Sequence, residues 1–210
     1  MMNSPLGPTV FVVDDYAPGR RSISRLLRAA GFAVTVFASA KEFLAQYDAE
    51  APGCLVLDLA MPAVSGLELQ EILADRGSLL PIIFLTAYGD IPKSVQAMKL
   101  GASDFLTKPV NDEDLLAAVR VAIEKHRALR REQAELSEIR ARLATRTPRE
   151  REVLEYVVAG KLNKQIAGEL GTVEQTVKIH RAHVMQKMRV QSVAELVRIT
   201  ERCGIGGAVY

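Results

Sequence analysis

The stretch Cys54–Gly66, CLVLDLAMPAVSG, holds the pattern from which the architecture can be read. An apolar run from Cys54 to Leu57 ends in a single carboxylate, Asp58, and leads into a Met61-Pro62 turn and Gly66. The run is too short to cross a membrane and suits a strand buried on both faces of a parallel sheet. Asp58 therefore sits where strand gives way to loop. Ligands of doubly wound sheets bind outside the carboxyl ends of the strands, so a strand-end acid is a site candidate, although many such residues only cap a turn.

The same grammar repeats on either side. Short apolar runs at Thr9–Val13, Ala33–Val36, Ile82–Leu85 and Asp104–Thr107 alternate with amphipathic ones, which predicts a five-stranded doubly wound parallel α/β sheet over the first half. A helix after Pro18 carries Ile23, Leu26 and Leu27 on one face and stops at Gly31. The next opens with Ser39-Ala-Lys-Glu42, read as a capping box. Two more are expected from Gly66 to Arg76 and from Pro92 to Leu100, and a fifth begins after Asn111 with Asp112, Glu113 and Asp114 in its first turn.

Chemistry gathers at the strand ends: Asp14-Asp15 after the first, Asp58 after the third, Thr86-Ala87 after the fourth and Lys108-Pro109 after the fifth. In a parallel sheet all of these reach one edge. Three carboxylates together repel by roughly 4 kcal/mol per pair at 4 Å and an effective dielectric near 20, so either they take up protons or a cation holds them together. Mg²⁺ suits an all-oxygen site that keeps water and takes a phosphate oxygen. Lys108 as a point charge and Thr86 as a hydroxyl donor would then complete a phosphoryl site, with Asp58 as the nucleophile that becomes an acyl phosphate. Taken singly, an Asp-Asp pair is a turn or cap, Thr86 a helix cap and Lys108 a solvated charge; their joint order at four strand ends carries the reading.

The set VVDD, DLxMPxxSG, TA and KP resembles the receiver domain of two-component response regulators over residues 8 to 124. The resemblance implies a flavodoxin-like receiver, with Asp58 phosphorylated by a histidine kinase. It implies Asp15 as a direct Mg²⁺ ligand, Asp14 as a water-mediated one, and the Ala60 carbonyl as a further ligand beside Asp58. Thr86 and Lys108 would contact the phosphoryl group, and Phe105 matches the switch aromatic, where many members have tyrosine. Ala60 and Tyr88 occupy positions that vary with phosphate lifetime in the family.

The halves differ in charge. Residues 1–124 hold 10 Lys+Arg and 15 Asp+Glu, or −5, and the remainder 17 and 10, or +7, which sum to the net +2. An acidic domain joined to a basic one that could meet nucleic acid is expected. Of the 210 residues, 49% are hydrophobic, enough for two cores. Cys54 and Cys203 fall in different halves and offer neither a disulfide framework nor a zinc spacing. The opening MMNSPLGP lacks a signal-peptide core, and the apolar stretch Leu79–Leu85 is broken by Pro81, so a cytoplasmic protein without membrane contact is expected.

From Asp112 to about Ala144 the pattern runs helical without Pro or Gly, thinning to Leu129, Leu136, Ile139 and Leu143 among mixed charges. It reads as a helical connection, with residues 125–145 as the linker; Glu132 breaks any coiled-coil seam. Thr147-Pro148-Arg149-Glu150 then starts a helix burying Val153, Leu154, Val157 and Val158. A short helix follows over Asn163–Leu170, a third over Glu174–Met188, and a fourth opens at the Ser192-Val-Ala-Glu195 box. Two helices joined by a glycine turn are a helix-turn-helix candidate. In the third, Val177, Val184 and Met188 face the core, leaving Lys178, Arg181, His183 and Lys187 for DNA.

The strings TPREREVL, AGKLNKQIA and TVKIHR resemble the LuxR-type helix-turn-helix over residues 144 to 203. This implies a DNA-binding domain over 146–210, with Lys178 and Ile179 nearest the bases and Lys164, Thr176, Arg181 and Lys187 on phosphates. The turn Gly171-Thr172-Val173 departs from the family, and Thr172 with Gln175 is placed to cap the recognition helix one residue early. The tail from Cys203 to Tyr210 reads as flexible. The two resemblances together imply a FixJ/NarL-type transcription regulator that is phosphorylated on Asp58, binds double-stranded DNA and dimerises when phosphorylated, with contact to the transcription machinery. Not an enzyme is the expectation; the rivals are a haloacid-dehalogenase-type phosphatase, whose nucleophile normally lies at the first strand, and a constitutive DNA binder with an inert receiver.

Overall fold

A computed structural model describes residues 7–87 and 91–205, with residues 91–94 as helical backbone only. Tyr88 and the ends of the chain lie outside the described residues. The chain divides into two units, Met1–Arg130 and Arg131–Tyr210.

In the first unit, β1 (Thr9–Val13), β2 (Ala33–Phe37), β3 (Gly53–Asp58), β4 (Ile82–Thr86) and β5 (Asp104–Thr107) form one sheet in the order β2-β1-β3-β4-β5, every pair parallel. Helices α1 (Ala17–Ala29), α2 (Ala40–Gln46), α3 (Gly66–Asp75), α4 (Ile91–Lys99) and the start of α5 (Asp112–Ala144) connect and cover it. Strand alternation deals the apolar residues to two faces. Phe11, Val13, Leu55, Leu57 and Phe84 pack with Phe43 and Leu69 of α2 and α3, while Val10, Val12, Val56, Ile83 and Leu85 pack with Leu27 of α1 and Leu115 and Val119 of α5. Burial on both faces is why β1, β3 and β4 read as unbroken apolar runs.

Helix ends follow their cap chemistry with small shifts. Ser65 and Glu68 form a complete capping box at α3, in addition to those expected from sequence. At α2 the Ser39 side chain accepts from Glu42 N, but the Glu42 carboxylate reaches Ala38 N, one residue before the cap, so the expected box is only half closed. Asn111 Oδ1 accepts from the N–H groups of Glu113 and Asp114 and so starts α5.

The second unit packs the end of α5 with α6 (Pro148–Val158), α7 (Asn163–Glu169), α8 (Glu174–Met188) and α9 (Val193–Glu201). Ile139 and Leu143, one helical turn apart, are buried here with Leu154, Ile166, Val177 and Leu196, so the end of α5 is core rather than a solvated spacer. Thr147 and Glu150 form the full capping box at α6. The N-cap of α8 is Val173 with no side-chain bond, so Thr172 does not cap early. Cys203 and Ile205 pack against the core, which corrects the flexible reading for those two residues; 206–210 lie outside the described residues.

Candidate functional site

The chain reverses direction across the sheet between β1 and β3, and that switch point opens a crevice at the strand ends. β1 delivers Asp14 and Asp15 to it and β3 delivers Asp58; one carboxylate oxygen of each lies within 4.8 Å of the others. Asp14 is 1% exposed and Asp58 7%, while Asp15 faces solvent. Lys108 comes across from the end of β5, its Nζ 3.0 Å from Asp14 Oδ2 and 3.1 Å from Asp58 Oδ2. The Lys108-Pro109 peptide bond is cis.

These charges set one another. Burial pushes the Asp58 carboxyl up; the Lys108 hydrogen bond and charge pull down, the Asp14 charge pushes up and the Ala60 N–H pulls down, leaving it above the usual carboxylate range. Burial pulls the Lys108 ammonium down, but its bonds to Asp14 and Asp58 outweigh that and hold it above its ordinary value. The lysine is thus a firm cation between two buried acids. The donor set fits Mg²⁺: hard carboxylate oxygens from two strand ends, one of them open to water, gathered closely enough for a single small ion.

Thr86 is 2% exposed at the end of β4, and its Oγ1 donates to the Ala87 carbonyl rather than to any carboxylate of the cluster. Ala60 is exposed beside Asp58. Phe105 is half-buried on β5 and lines a shallow apolar groove with Val95, Met98 and Lys99.

Two supports of the site escape the sequence reading. Arg20, six residues past Asp14 and one turn into α1, donates from Nη1 to the Asp14 carbonyl, while Tyr16 N donates to Asp14 Oδ1 at 2.7 Å. A basic residue one turn into the helix after the acidic pair is the available signal. Gly66, at the end of the opening motif, has no room for a side chain: a Cβ there would lie 2.6 Å from the Asp58 carbonyl oxygen and 3.0 Å from Phe84 Cε1. Its bare Cα lets α3 start hard against the strand end that carries Asp58.

In the second unit α8 buries Val177, Val184 and Met188, packs Met185 partly against the same core, and exposes Lys178, Ile179 and His183. Lys178 pairs with Glu174 at 3.2 Å, both half-exposed, its one ion pair among the described residues, and Ile179 beside it is 48% exposed. Lys164 is exposed and Thr176 half-buried. Arg181 Nη1 donates to Asn163 Oδ1 at 3.0 Å, tying α8 to the first turn of α7. Lys187 Nζ is held by Glu150 Oε2 and by the Thr145 carbonyl at 3.2 Å, with His183 Nδ1 3.8 Å from Glu150 Oε1. Burial pushes the Glu150 carboxyl up, but the Lys187 bond and the Thr147 N–H outweigh it and hold it below its usual range. Lys187 therefore joins α8 to the start of α6, a role that its place on the polar side of α8 does not reveal.

Residues 10–120 match the family model of the response regulator receiver domain, and residues 145–200 match that of the bacterial regulatory proteins of the luxR family. Nodulation protein W of Bradyrhizobium diazoefficiens is 47% identical over 196 residues, covering 93% of this chain and 86% of that one. The transcriptional regulatory protein FixJ of the same organism is 42% identical over 196 residues, covering 93% and 96%. Among solved structures, the response regulator StyR superposes with a TM-score of 0.84 at 46% identity, covering 93% of this chain and 98% of that one. Full-length FixJ from B. japonicum gives 0.58 at 42%, covering 94% and 97%. No helix among the described residues is long and apolar enough to cross a membrane.

Proposed function

The chain belongs to the response regulators that join a receiver domain to a LuxR-type DNA-binding domain, and on that basis we propose that phosphorylation of Asp58 by a histidine kinase controls its binding to promoter DNA in the cytoplasm. The observation that carries this is the close set of Asp14, Asp15, Asp58 and Lys108 at the switch point of a sheet whose chain continues into a helix-turn-helix. We assign residues 1–124 to the receiver, 125–145 to the linker and 146–210 to the DNA-binding domain.

An Asp58 carboxylate oxygen attacks the phosphorus of a phosphohistidine; the P–N bond breaks, a P–O bond forms, and the imidazole leaves with a proton from solvent. Asp14, Asp15, Asp58 and the Ala60 carbonyl would hold Mg²⁺, which supplies positive charge against the carboxylates and the incoming phosphoryl oxygens. Lys108 already touches Asp58 and pairs with a phosphoryl oxygen without travelling. Thr86 must give up the Ala87 carbonyl to do the same, and Phe105 on the neighbouring strand is the aromatic that would follow that exchange. Moving a two-state domain from 1:99 to 99:1 takes about 5.5 kcal/mol of differential stabilisation, which these interactions must provide.

The half-exposed Val95 and Met98 beside Phe105 are the apolar face on which two phosphorylated copies pair. On DNA, Lys178 and Ile179 meet base edges, Lys164, Thr176 and Arg181 meet phosphates with His183 beside them, and contact to the transcription machinery follows from the bound dimer. Lys187 acts chiefly by fixing the pitch of α8.

The test is incubation of the full chain with a small phosphodonor and Mg²⁺, followed by intact mass and duplex DNA affinity. One phosphoryl group should be gained and retained on Asp58, should be absent from Asp58→Asn, and should accompany tighter DNA binding. Turnover of varied phosphomonoesters would instead identify a phosphatase, and no labelling would identify an inert receiver.

A further inference from the structure

Within the second unit, a cavity of about 380 Å³ opens among the end of α5, the first turns of α6 and the residues that follow α9. Its wall carries Arg140, Arg146 and Arg151 against one carboxylate, Glu155, with Leu143 and Ile205 adding apolar surface. Among the described residues, the side chains of Arg140 and Arg151 make neither a hydrogen bond nor an ion pair, and Arg151 bonds only through its backbone N–H to the Thr147 carbonyl. Arg146 is the unusual member. It is 9% exposed, its Nε donates to the Leu143 carbonyl at 2.8 Å, and its Nη1 is buried with no partner among the described residues. Burial first, and the charge of Arg151 second, pull its guanidinium below the usual value, with Glu155 and Glu150 pulling back only in part.

A cation taken out of water is costly unless an anion meets it, and buried charges are paired as a rule. Here Arg151 crowds it, and the carboxylates of Glu155 and Glu150 offset that only in part, with no hydrogen bond to its Nη1 among the described residues. None of these arginines belongs to α7 or α8, so the DNA-reading surface does not account for them. The planar guanidinium fork matches a carboxylate or a phosphate in a bidentate way. The volume lies at the lower end of the roughly 300–1,000 Å³ of small-molecule sites.

We propose that this cavity binds a small organic anion, a carboxylate or phosphate monoester on a short apolar body, with its oxygens on Arg146 and Arg151 and its body on Leu143 and Ile205. The site gives the output domain a second input, chemically separate from Asp58 and independent of its phosphorylation.

Isothermal titration calorimetry of the full chain tests this, with hexanoate, hexyl phosphate and neutral hexanamide as probes and with EDTA present to keep the Asp58 site metal-free. At least one anion should bind with a Kd of about 1 mM or tighter, and the amide should not. Arg151→Gln, an exposed position that folding tolerates, should weaken binding by tenfold or more, and Arg146→Met should abolish it while circular dichroism shows a folded chain. Absence of binding by both anions, or binding that survives both substitutions, overturns the proposal. So does a loss of duplex DNA affinity in Arg151→Gln that tracks the loss of anion binding, because the arginines would then belong to the DNA backbone.

Discussion

Asp58 holds its proton more firmly than an ordinary carboxylate because of what its neighbours deny it. Burial pushes its proton affinity up, Asp14 adds to that, and Lys108 supplies the only nearby opposing charge among the described residues. The backbone beneath it depends on Gly66. Replacing Gly66 with alanine forces a carbon against the Asp58 carbonyl and the Phe84 ring, and should cost about 1–3 kcal/mol as overpacking does. Thermal unfolding of the receiver should show it as a Tm lowered by several degrees, with less phosphorylation at a given temperature.

His126 is a second residue with a clear sign. It is buried, with Nδ1 3.0 Å from Gly53 N and 2.8 Å from Gly53 O, and it stands against a glycine whose Cβ would lie 1.8 Å from the Thr9 carbonyl oxygen. Burial pulls its pKa down, the Gly53 bond pulls it partly back, and Arg130 pulls it down further. Its folded pKa therefore lies below the unfolded value near 6.5, so the unfolded chain binds more protons just below that pH. The stability contribution is complete above about pH 6.5 and declines as pH falls toward the depressed folded value. Urea unfolding of the native chain and of His126→Gln between about pH 5 and 8 should show a drop in the native chain that the variant lacks. Subtracting the two removes the titration of Asp58 and the other carboxylates.

Among the helices, α8 is a packed element and the proposed reading head, and its lysines divide along that line. Lys178 pairs with Glu174 on the surface, an interaction worth little, so DNA would recruit it at small cost. Lys178→Ala should weaken specific DNA binding while Asp58 labelling stays intact; unchanged binding in gel-shift titrations would remove Lys178 from the base-reading set. Lys187 is engaged by buried Glu150, and Lys187→Met should destabilise the second unit by about 1–3 kcal/mol because a buried carboxylate loses its donor. The slope of log K against log salt separates a packing role for Lys187 from a phosphate contact. Removing one cation that neutralises a DNA phosphate makes the slope shallower by about 0.9, and Lys187→Met should leave it unchanged.

In the full chain, the proposed phosphorylation of Asp58 would add about −1.5 to −2 charge beside the Lys108 ammonium. Its effect on DNA depends on assembly, since linked half-sites raise affinity by effective concentration. Sedimentation after phosphodonor treatment should show a dimer in the native chain, and Val95→Glu, which places a charge on the half-exposed apolar face, should remain monomeric though labelled. Wild-type sedimentation in the variant would move the dimer face elsewhere.

Most of the fold was legible in the chain because it is carried by local rules. Apolar runs of strand length and glycines at helix ends set out five strands and the helices between them, and the order of acids, threonine and lysine at the strand ends named the site. Pairings between residues distant in sequence emerged only on folding. Lys108 finds Asp14 across 94 residues and Lys187 finds Glu150 across 37, and the cap of Glu42 shifts by one residue because a carboxylate takes whichever N–H lies in reach. The buried Arg146 Nη1, without a hydrogen-bond partner among the described residues, was likewise invisible, since whether a polar group is met depends on the whole three-dimensional shell around it. Asp58 as the end of a buried strand came from sequence; its raised pKa, its pairing with Lys108 and the closeness of Gly66 beneath it came from packing, because charges and close approaches act through space and not along the chain.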